Sequence, residues 1–141
     1  MSGLERIERL LRIARLAETE AGRRLADSAA ALAARQAEVA RLKRFLDEYR
    51  TPDASRGGAI DAARLANAHA FAERLRAAIE AGEREAAACE ERHREDVERW
   101  RSAHRRHSAL REIAARQAAE ALRNDARREQ IELDDRFARS K

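Results

Sequence analysis

Helix-breaking residues are scarce in this chain of 141 residues, which has one proline and five glycines. The proline and two of the glycines fall together in the stretch TPDASRGG. Pro52 disfavours helix at the residue before it and cannot donate a backbone hydrogen bond. The pattern predicts a first helix over residues 1–50, a loop over 51–59 and a second helix over 60–139.

Aromatic residues are also rare, at 4%, and much of the 44% hydrophobic fraction is alanine. Charged residues make up 40% of the chain. This composition is typical of long helices and coiled coils rather than of a globular core. Alanine and arginine favour helix strongly, so long helices are favoured over disorder.

Cysteine and long apolar runs are nearly absent. The single cysteine, Cys89, excludes an intrachain disulfide and fits a reducing compartment. No apolar run approaches the roughly 20 residues that span a bilayer. The first twenty residues are too acidic and too evenly charged for a signal or transit peptide. We therefore expect a cytosolic protein.

Charge is unevenly distributed along the chain, whose formal net charge is +4. The sequence carries an excess of basic groups in residues 1–50 and 101–141 and an excess of acidic groups in 51–100. Acidic residues are interleaved with the arginines and no aromatics accompany them, so the pattern argues against a nucleic-acid partner. A helical nucleic-acid-binding protein remains the alternative from another class.

Heptad spacing of apolar residues extends through both predicted helices. The first helix carries two series, Leu4, Leu11, Glu18, Leu25, Leu32, Val39, Leu46 and Ile7, Ala14, Ala21, Ser28, Arg35, Leu42, Tyr49. The second helix carries Leu65, Ala68, Ala72, Leu75, Ile79, Gly82, Ala86 and Cys89, followed by the more polar His93, Asp96, Trp100, His107 and Leu110. Such spacing is typical of a coiled-coil seam.

Two heptad segments joined by a short loop predict an all-α, antiparallel two-helix coiled-coil hairpin. If Leu46 faces Leu65, Val39 faces Ala72 and the charged Glu18 faces His93. In that register, residues from about 108 onward have no partner in the first helix. They would form an unpaired basic overhang of about thirty residues, roughly 45 Å long.

Motifs that carry chemistry are missing from the sequence. It contains no glycine-rich phosphate loop, no GxSxG and no HExxH. Cys89 with His93, or His104 with His107, could each supply two metal ligands, but a closed zinc site needs about four. The sequence therefore predicts a non-enzymatic protein with no catalytic residue, no cofactor and no metal.

An apolar stripe on each helix flanks the predicted loop. Leu42, Phe45 and Tyr49 form the first stripe, and Phe71, Leu75 and Ala78 form the second. A thin two-helix hairpin cannot bury such a patch internally, so the stripes predict a docking site. The alternative is that the rings simply cover the seam. A homodimeric coiled-coil scaffold is a further alternative for the whole chain.

Four segments in this order resemble the FliJ family of flagellar type III export proteins. They are RLKRFLDEYR at 41–50, FAERLRAAIE at 71–80, VERWR around Trp100, and REQIELDDRFAR at 128–139. The resemblance implies an antiparallel coiled coil similar to the central stalk of rotary ATPases. It also implies binding to the hexameric export ATPase and to the cytoplasmic domain of the export gate, and a link to the recycling of export chaperones. The equivalent stalk of a virulence type III secretion system is the alternative.

The resemblance also implies where these partners bind. It assigns gate binding to Leu42, Phe45, Tyr49, Phe71, Leu75 and Ala78, with Glu38 and Gly82 where the family usually has an amide and a histidine. It assigns the ATPase ring to the overhang, where our candidates are Arg111, Arg116, Arg123, Arg127, Arg128, Ile131, Leu133 and Phe137. Any association with the membrane at the flagellar base would then be peripheral, through the export gate.

Overall fold

The computed structural model describes residues 2–50 and 62–140 and contains two α-helices in that part of the chain. Helix α1 is Gly3–Arg50 and helix α2 is Ala62–Arg139. Residues early in α1 contact residues late in α2, so the helices are antiparallel and the predicted all-α hairpin with a long C-terminal helix is confirmed. The predicted loop at 51–59 lies outside the described residues, as do residues 60 and 61.

The start of α1 and the end of α2 carry side chains that stabilise a helix terminus. The Ser2 hydroxyl accepts a hydrogen bond from the Glu5 backbone N–H at 3.2 Å, which satisfies one free donor of the first turn of α1. Arg136 and Arg139 lie in the last turn of α2, where positive charge is favourable beside the helix dipole. Over 2–50 and 62–140, neither helix has a stretch long and apolar enough to cross a membrane.

The described chain divides into two compact units, each built from a segment of both helices. The second unit, Arg23–Glu98, contains an apolar core of Val39, Leu46, Leu75 and Ile79, each 7–8% exposed. These residues all belong to the predicted heptad series, so the seam is confirmed here. A Cβ on Gly82 would lie 2.9 Å from Cγ2 of Val39, which means that glycine permits a close approach of the helices.

The first unit comprises Met1–Gly22 and Arg99–Lys141, and its interior is more polar. Ala14 is 3% exposed, and His107 is buried at 9%. Glu18, which is half-buried, accepts hydrogen bonds from the ring nitrogens of His104 and His107. A charged layer therefore occupies a position that an aliphatic residue would fill in a regular coiled coil.

The predicted register is wrong by about three turns of helix. Val39 faces Gly82 instead of Ala72, Leu46 packs in the cluster with Leu75 instead of meeting Leu65, and Glu18 meets His104 and His107 instead of His93. Leu65 is 61% exposed. Slipping by three turns keeps the same helix faces together, so an aliphatic repeat alone does not distinguish the two pairings.

This register also moves the start of the exposed C-terminal segment. Half-buried residues continue along α2 to Gln117, and every described residue from Ala118 to Ser140 is exposed. We call 118–140 the exposed segment. It contains five arginines and six carboxylates, so it is not basic, unlike the expected overhang from about 108. The excess of arginine lies upstream, in residues 101–117. This stretch still contains buried and half-buried positions, the last of which is Gln117.

Candidate functional site

An aromatic patch lies on the second unit, where the two predicted apolar stripes meet. The rings of Tyr49 and Phe71 are 4.8 Å apart between centroids and tilted by 44°. Phe45, Tyr49 and Phe71 are 48%, 52% and 38% exposed. Ring pairs of this geometry attract one another, yet about half of this apolar surface faces solvent. The rings therefore do more than cover the seam: they present an open apolar surface.

The other patch residues divide between support and surface. Leu75 is buried in the core and Leu42 packs against that core, so these two belong to the packed seam rather than to the open surface. Ala78 is exposed.

The two flanking positions, Glu38 and Gly82, differ in environment. Glu38 is exposed, and its carboxylate accepts a hydrogen bond from Arg41 at 2.8 Å, which raises the pKa of Arg41 above its ordinary value. Gly82 is half-buried against Val39. Its position suits close packing of the helices, so its first role in this fold is structural.

The eight candidate residues for ATPase binding are all exposed on α2. Arg111 and Arg116 precede the exposed segment, and Arg116 donates to Glu112 at 2.7 Å. The other six lie within 118–140. Ile131, Leu133 and Phe137 are 61%, 52% and 74% exposed, so large apolar side chains in this segment face solvent.

Sequence reasoning missed Leu122, which is 72% exposed. At 100° per residue, Leu122, Leu133 and Phe137 fall on one face of α2, whereas Ile131 falls on the opposite face. Ala115, Ala119 and Ala126 continue the same face. The helical spacing of these residues could have predicted this face, but the signal is weak because half of the six residues named on it are alanine. We call Leu122, Leu133 and Phe137 the tail stripe.

A second feature that sequence reasoning placed incorrectly is the cluster of Glu18, His104 and His107, which we call the polar clasp. Glu18 Oε1 lies 3.3 Å from Nδ1 of His104, and its Oε2 contacts Nδ1 of His107. Hydrogen bonds from the two imidazoles lower the pKa of the Glu18 carboxyl below its ordinary value. His104 also stacks on Trp100, with ring centroids 4.9 Å apart.

The residues considered as metal ligands have other partners. His93 Nδ1 lies 3.3 Å from the Ser28 hydroxyl, and the buried Cys89 sulfur accepts a weak hydrogen bond from Arg92 at 3.4 Å. Within the part of the chain that the structure describes, no group of three or more His, Cys, Asp or Glu side chains could hold a metal ion.

Comparison with known proteins gives one result that bears on function. The model of the family described as flagellar FliJ protein matches residues 3–141. Comparisons with curated proteins and with solved structures give no significant match. The family match covers nearly the whole chain, including both helices. The chain therefore belongs to the FliJ family, which are components of flagellar type III protein export.

Proposed function

We propose that this chain is a non-enzymatic stalk that couples the hexameric flagellar export ATPase to the export gate. The aromatic patch binds the cytoplasmic domain of the gate, and the exposed segment binds the ATPase ring. The observation that carries this proposal is the pair of rings Tyr49 and Phe71, in contact with each other yet half-exposed to solvent. Partly exposed aromatic residues in a small patch are typical anchors of protein interfaces.

The aromatic patch is prepared for binding by the core beneath it. Leu46, Leu75 and Ile79 are buried, so the backbones of both helices are fixed at the patch before a partner arrives. A rigid, preorganised surface loses little conformational entropy on binding. This supports an anchor role for Phe45, Tyr49 and Phe71, with Leu42, Leu75 and Ala78 shaping their surroundings.

The exposed segment supports a protein partner better than a nucleic acid. Its five arginines are balanced by six carboxylates, so it lacks the positive excess that drives binding to phosphates. Its apolar tail stripe is not covered by any part of the chain that the structure describes, because every residue from Ala118 to Ser140 is exposed. An amphipathic helix of this kind fits a groove in a protein.

Coupling between the two partners is then a free-energy linkage rather than chemistry. Binding at one end changes the affinity at the other end only if both events favour the same conformation of the helices. In this proposal the protein works in the cytoplasm, peripherally at the inner-membrane export apparatus at the flagellar base.

The test is a pair of binding titrations of the full chain, one against the gate cytoplasmic domain and one against the ATPase. Phe45→Ala/Phe71→Ala should weaken gate binding by about tenfold or more and leave ATPase binding unchanged. Leu133→Ala/Phe137→Ala should weaken ATPase binding and leave gate binding unchanged. Ile13→Ala/Leu16→Ala is the matched control, because it removes two exposed aliphatic side chains outside both surfaces.

Two outcomes oppose the proposal. If both double variants bind both partners as the unchanged chain does, neither surface is a binding site. If each double variant loses both partners equally, the two surfaces do not act separately. In either case the family assignment stands and the placement of the two working surfaces fails.

A further inference from the structure

The sequence is compatible with two registers of the hairpin, and the apolar residues do not choose strongly between them. In the observed register, Leu46 packs with Leu75 and Val39 with Gly82. In a register shifted by about three turns, Leu46 would meet Leu65 and Val39 would meet Ala72. The shifted register would even bury Leu65, which is 61% exposed here. Something other than the aliphatic seam must therefore favour the observed pairing.

The polar residues of the seam discriminate between the registers. In the observed register Glu18 meets His104 and His107, and Ser28 meets His93, so each polar group faces another polar group. In the shifted register His104 and His107 would oppose Ile7 and Leu4. Polar rings placed against aliphatic side chains lose their hydrogen-bond partners, and that loss is costly in a buried position.

We propose that the polar clasp of Glu18, His104 and His107 is the register lock of the hairpin, selecting the observed pairing of α1 and α2 over the pairing displaced by three turns. Polar residues buried in a coiled-coil seam are known to fix register at some expense of stability. His107 is suited to this role because it is buried at 9% and its Nε2 has no hydrogen-bond partner in the described chain. Within the described residues, the His107 ring makes one hydrogen bond, and Glu18 accepts it.

The lock has a consequence for the aromatic patch. The rings of Tyr49 and Phe71 meet in the observed register. In the shifted register Tyr49 would oppose Ala62 and Phe71 would oppose Ala40, which would separate the two rings. Because α1 and α2 are each one uninterrupted helix, sliding changes the pairing throughout. A partner that breaks the hydrogen bonds of the clasp would allow the helices to slide and would separate the two rings of the patch. That the patch binds a partner rests on the proposed function.

Disulfide trapping in the full chain tests the lock directly. In a Cys89→Ser background, Val39→Cys/Gly82→Cys reports the observed register and Val39→Cys/Ala72→Cys reports the shifted one. Positions 72 and 82 are about 15 Å apart along α2, and a disulfide needs Cα atoms within about 7 Å, so one register cannot give both crosslinks. With the clasp intact, only the Val39–Gly82 pair should crosslink rapidly.

Clasp variants then supply the decisive comparison. Glu18→Leu/His107→Leu should make the Val39–Ala72 crosslink form and lower the Val39–Gly82 yield by roughly half or more. Should the double variant fail to fold, Glu18→Ala tests the same two crosslinks, because alanine favours helix and adds no volume to the seam. The exchange Glu18→His/His107→Glu keeps the same pair of groups and should restore the single crosslink.

The matched control removes a polar pair that faces solvent. Arg35 and Glu85 form an ion pair between the helices at 2.7 Å with both side chains more than half exposed. Arg35→Leu/Glu85→Leu should leave the crosslinks unchanged, because exposed ion pairs contribute little. The proposal is overturned if the folded Glu18→Ala chain still gives the Val39–Gly82 crosslink alone. Gate binding is not needed for this readout, so failure of the proposed function would leave its result intact.

Discussion

The two units of this hairpin differ in the residues that pack between the helices. In the second unit the seam is apolar, with Val39, Leu46, Leu75 and Ile79 buried together. In the first unit the seam includes the charged Glu18 and the buried His107. Apolar contacts stabilise without much regard to alignment, whereas a set of buried polar groups restricts the alignments in which all of them find partners. We therefore expect the second unit to contribute most of the stability and the first unit to contribute specificity of pairing.

Truncating one seam side chain in each unit should have the largest effect and tests where the stability lies. Ile79→Ala should lower the free energy of unfolding by about 2–4 kcal/mol, since it removes a buried aliphatic group from the core. Leu11→Ala, at a half-buried seam position of the first unit, should lower it by about half as much or less. Urea unfolding followed by circular dichroism measures both.

Leu122→Ala is the control for that pair, because its side chain is 72% exposed. It should change the free energy of unfolding by no more than about 0.5 kcal/mol. A loss for Leu11→Ala that equals or exceeds the loss for Ile79→Ala would contradict the assignment of stability to the second unit.

Gly22 and Gly82, two glycines in the interior of the helices, offer a comparison with effects of intermediate size. Gly82→Ala should destabilise by about 1 kcal/mol, because the new Cβ would lie 2.9 Å from Cγ2 of Val39 and this overlap exceeds the gain in helix propensity. Gly22→Ala should stabilise by about 0.5–1 kcal/mol, because its nearest contact would be an ordinary 3.7 Å to Trp100. Thermal unfolding of the two variants measures the contrast.

Relief of the overlap gives the matching control. In a Val39→Ala background the methyl group that obstructs position 82 is gone, so Gly82→Ala should no longer destabilise. If Gly82→Ala is equally harmful with and without the valine side chain, steric contact with Val39 is not the reason for glycine at this position.

The polar clasp should make a small contribution to the pH dependence of the free energy of unfolding, smaller than the effects above. Hydrogen bonds from His104 and His107 lower the pKa of Glu18 from its ordinary value of 4.5 in the folded chain. A carboxyl with a lowered folded pKa contributes stability that is fully present above about pH 4.5 and is lost as the pH falls through the folded pKa. Glu18→Gln should therefore be less stable than the unchanged chain above that pH, and the difference should shrink on acidification.

Urea midpoints of the two chains over the acid range measure this difference. Glu20→Gln is a suitable control, since it changes a neighbouring exposed carboxylate that is outside the clasp. A gap between Glu18→Gln and the unchanged chain that widens as the pH falls below about 4.5 would reverse the sign required by the lowered pKa.

Much of the fold follows from the sequence because helix periodicity and breakers are local signals. Pro52 predicts the end of α1 near Arg50, and α1 is helical to that residue. The heptad positions Val39, Leu46, Leu75 and Ile79 are buried as expected. These features depend on backbone geometry and on the apolar face of each helix alone, which a single segment already specifies.

The register does not follow from local signals. Pairing Leu46 with Leu65 satisfies the aliphatic repeat, and it even sets Glu18 against a histidine, His93. Choosing correctly required the whole set of polar partners, because His104 and His107 must also be satisfied. The sequence predicts an aromatic stripe on each helix. The contact between Tyr49 and Phe71 could not be predicted, because it depends on the register.

Amide hydrogen exchange of the full chain shows whether the aromatic patch and the exposed segment bind different partners, as we propose. Addition of the gate cytoplasmic domain should slow exchange in peptides covering 38–49 and 71–82 and leave 118–140 unchanged. Addition of the ATPase should slow exchange in 118–140 and leave the patch peptides unchanged. Protection of the same peptides by both partners would contradict a stalk with two separate binding surfaces.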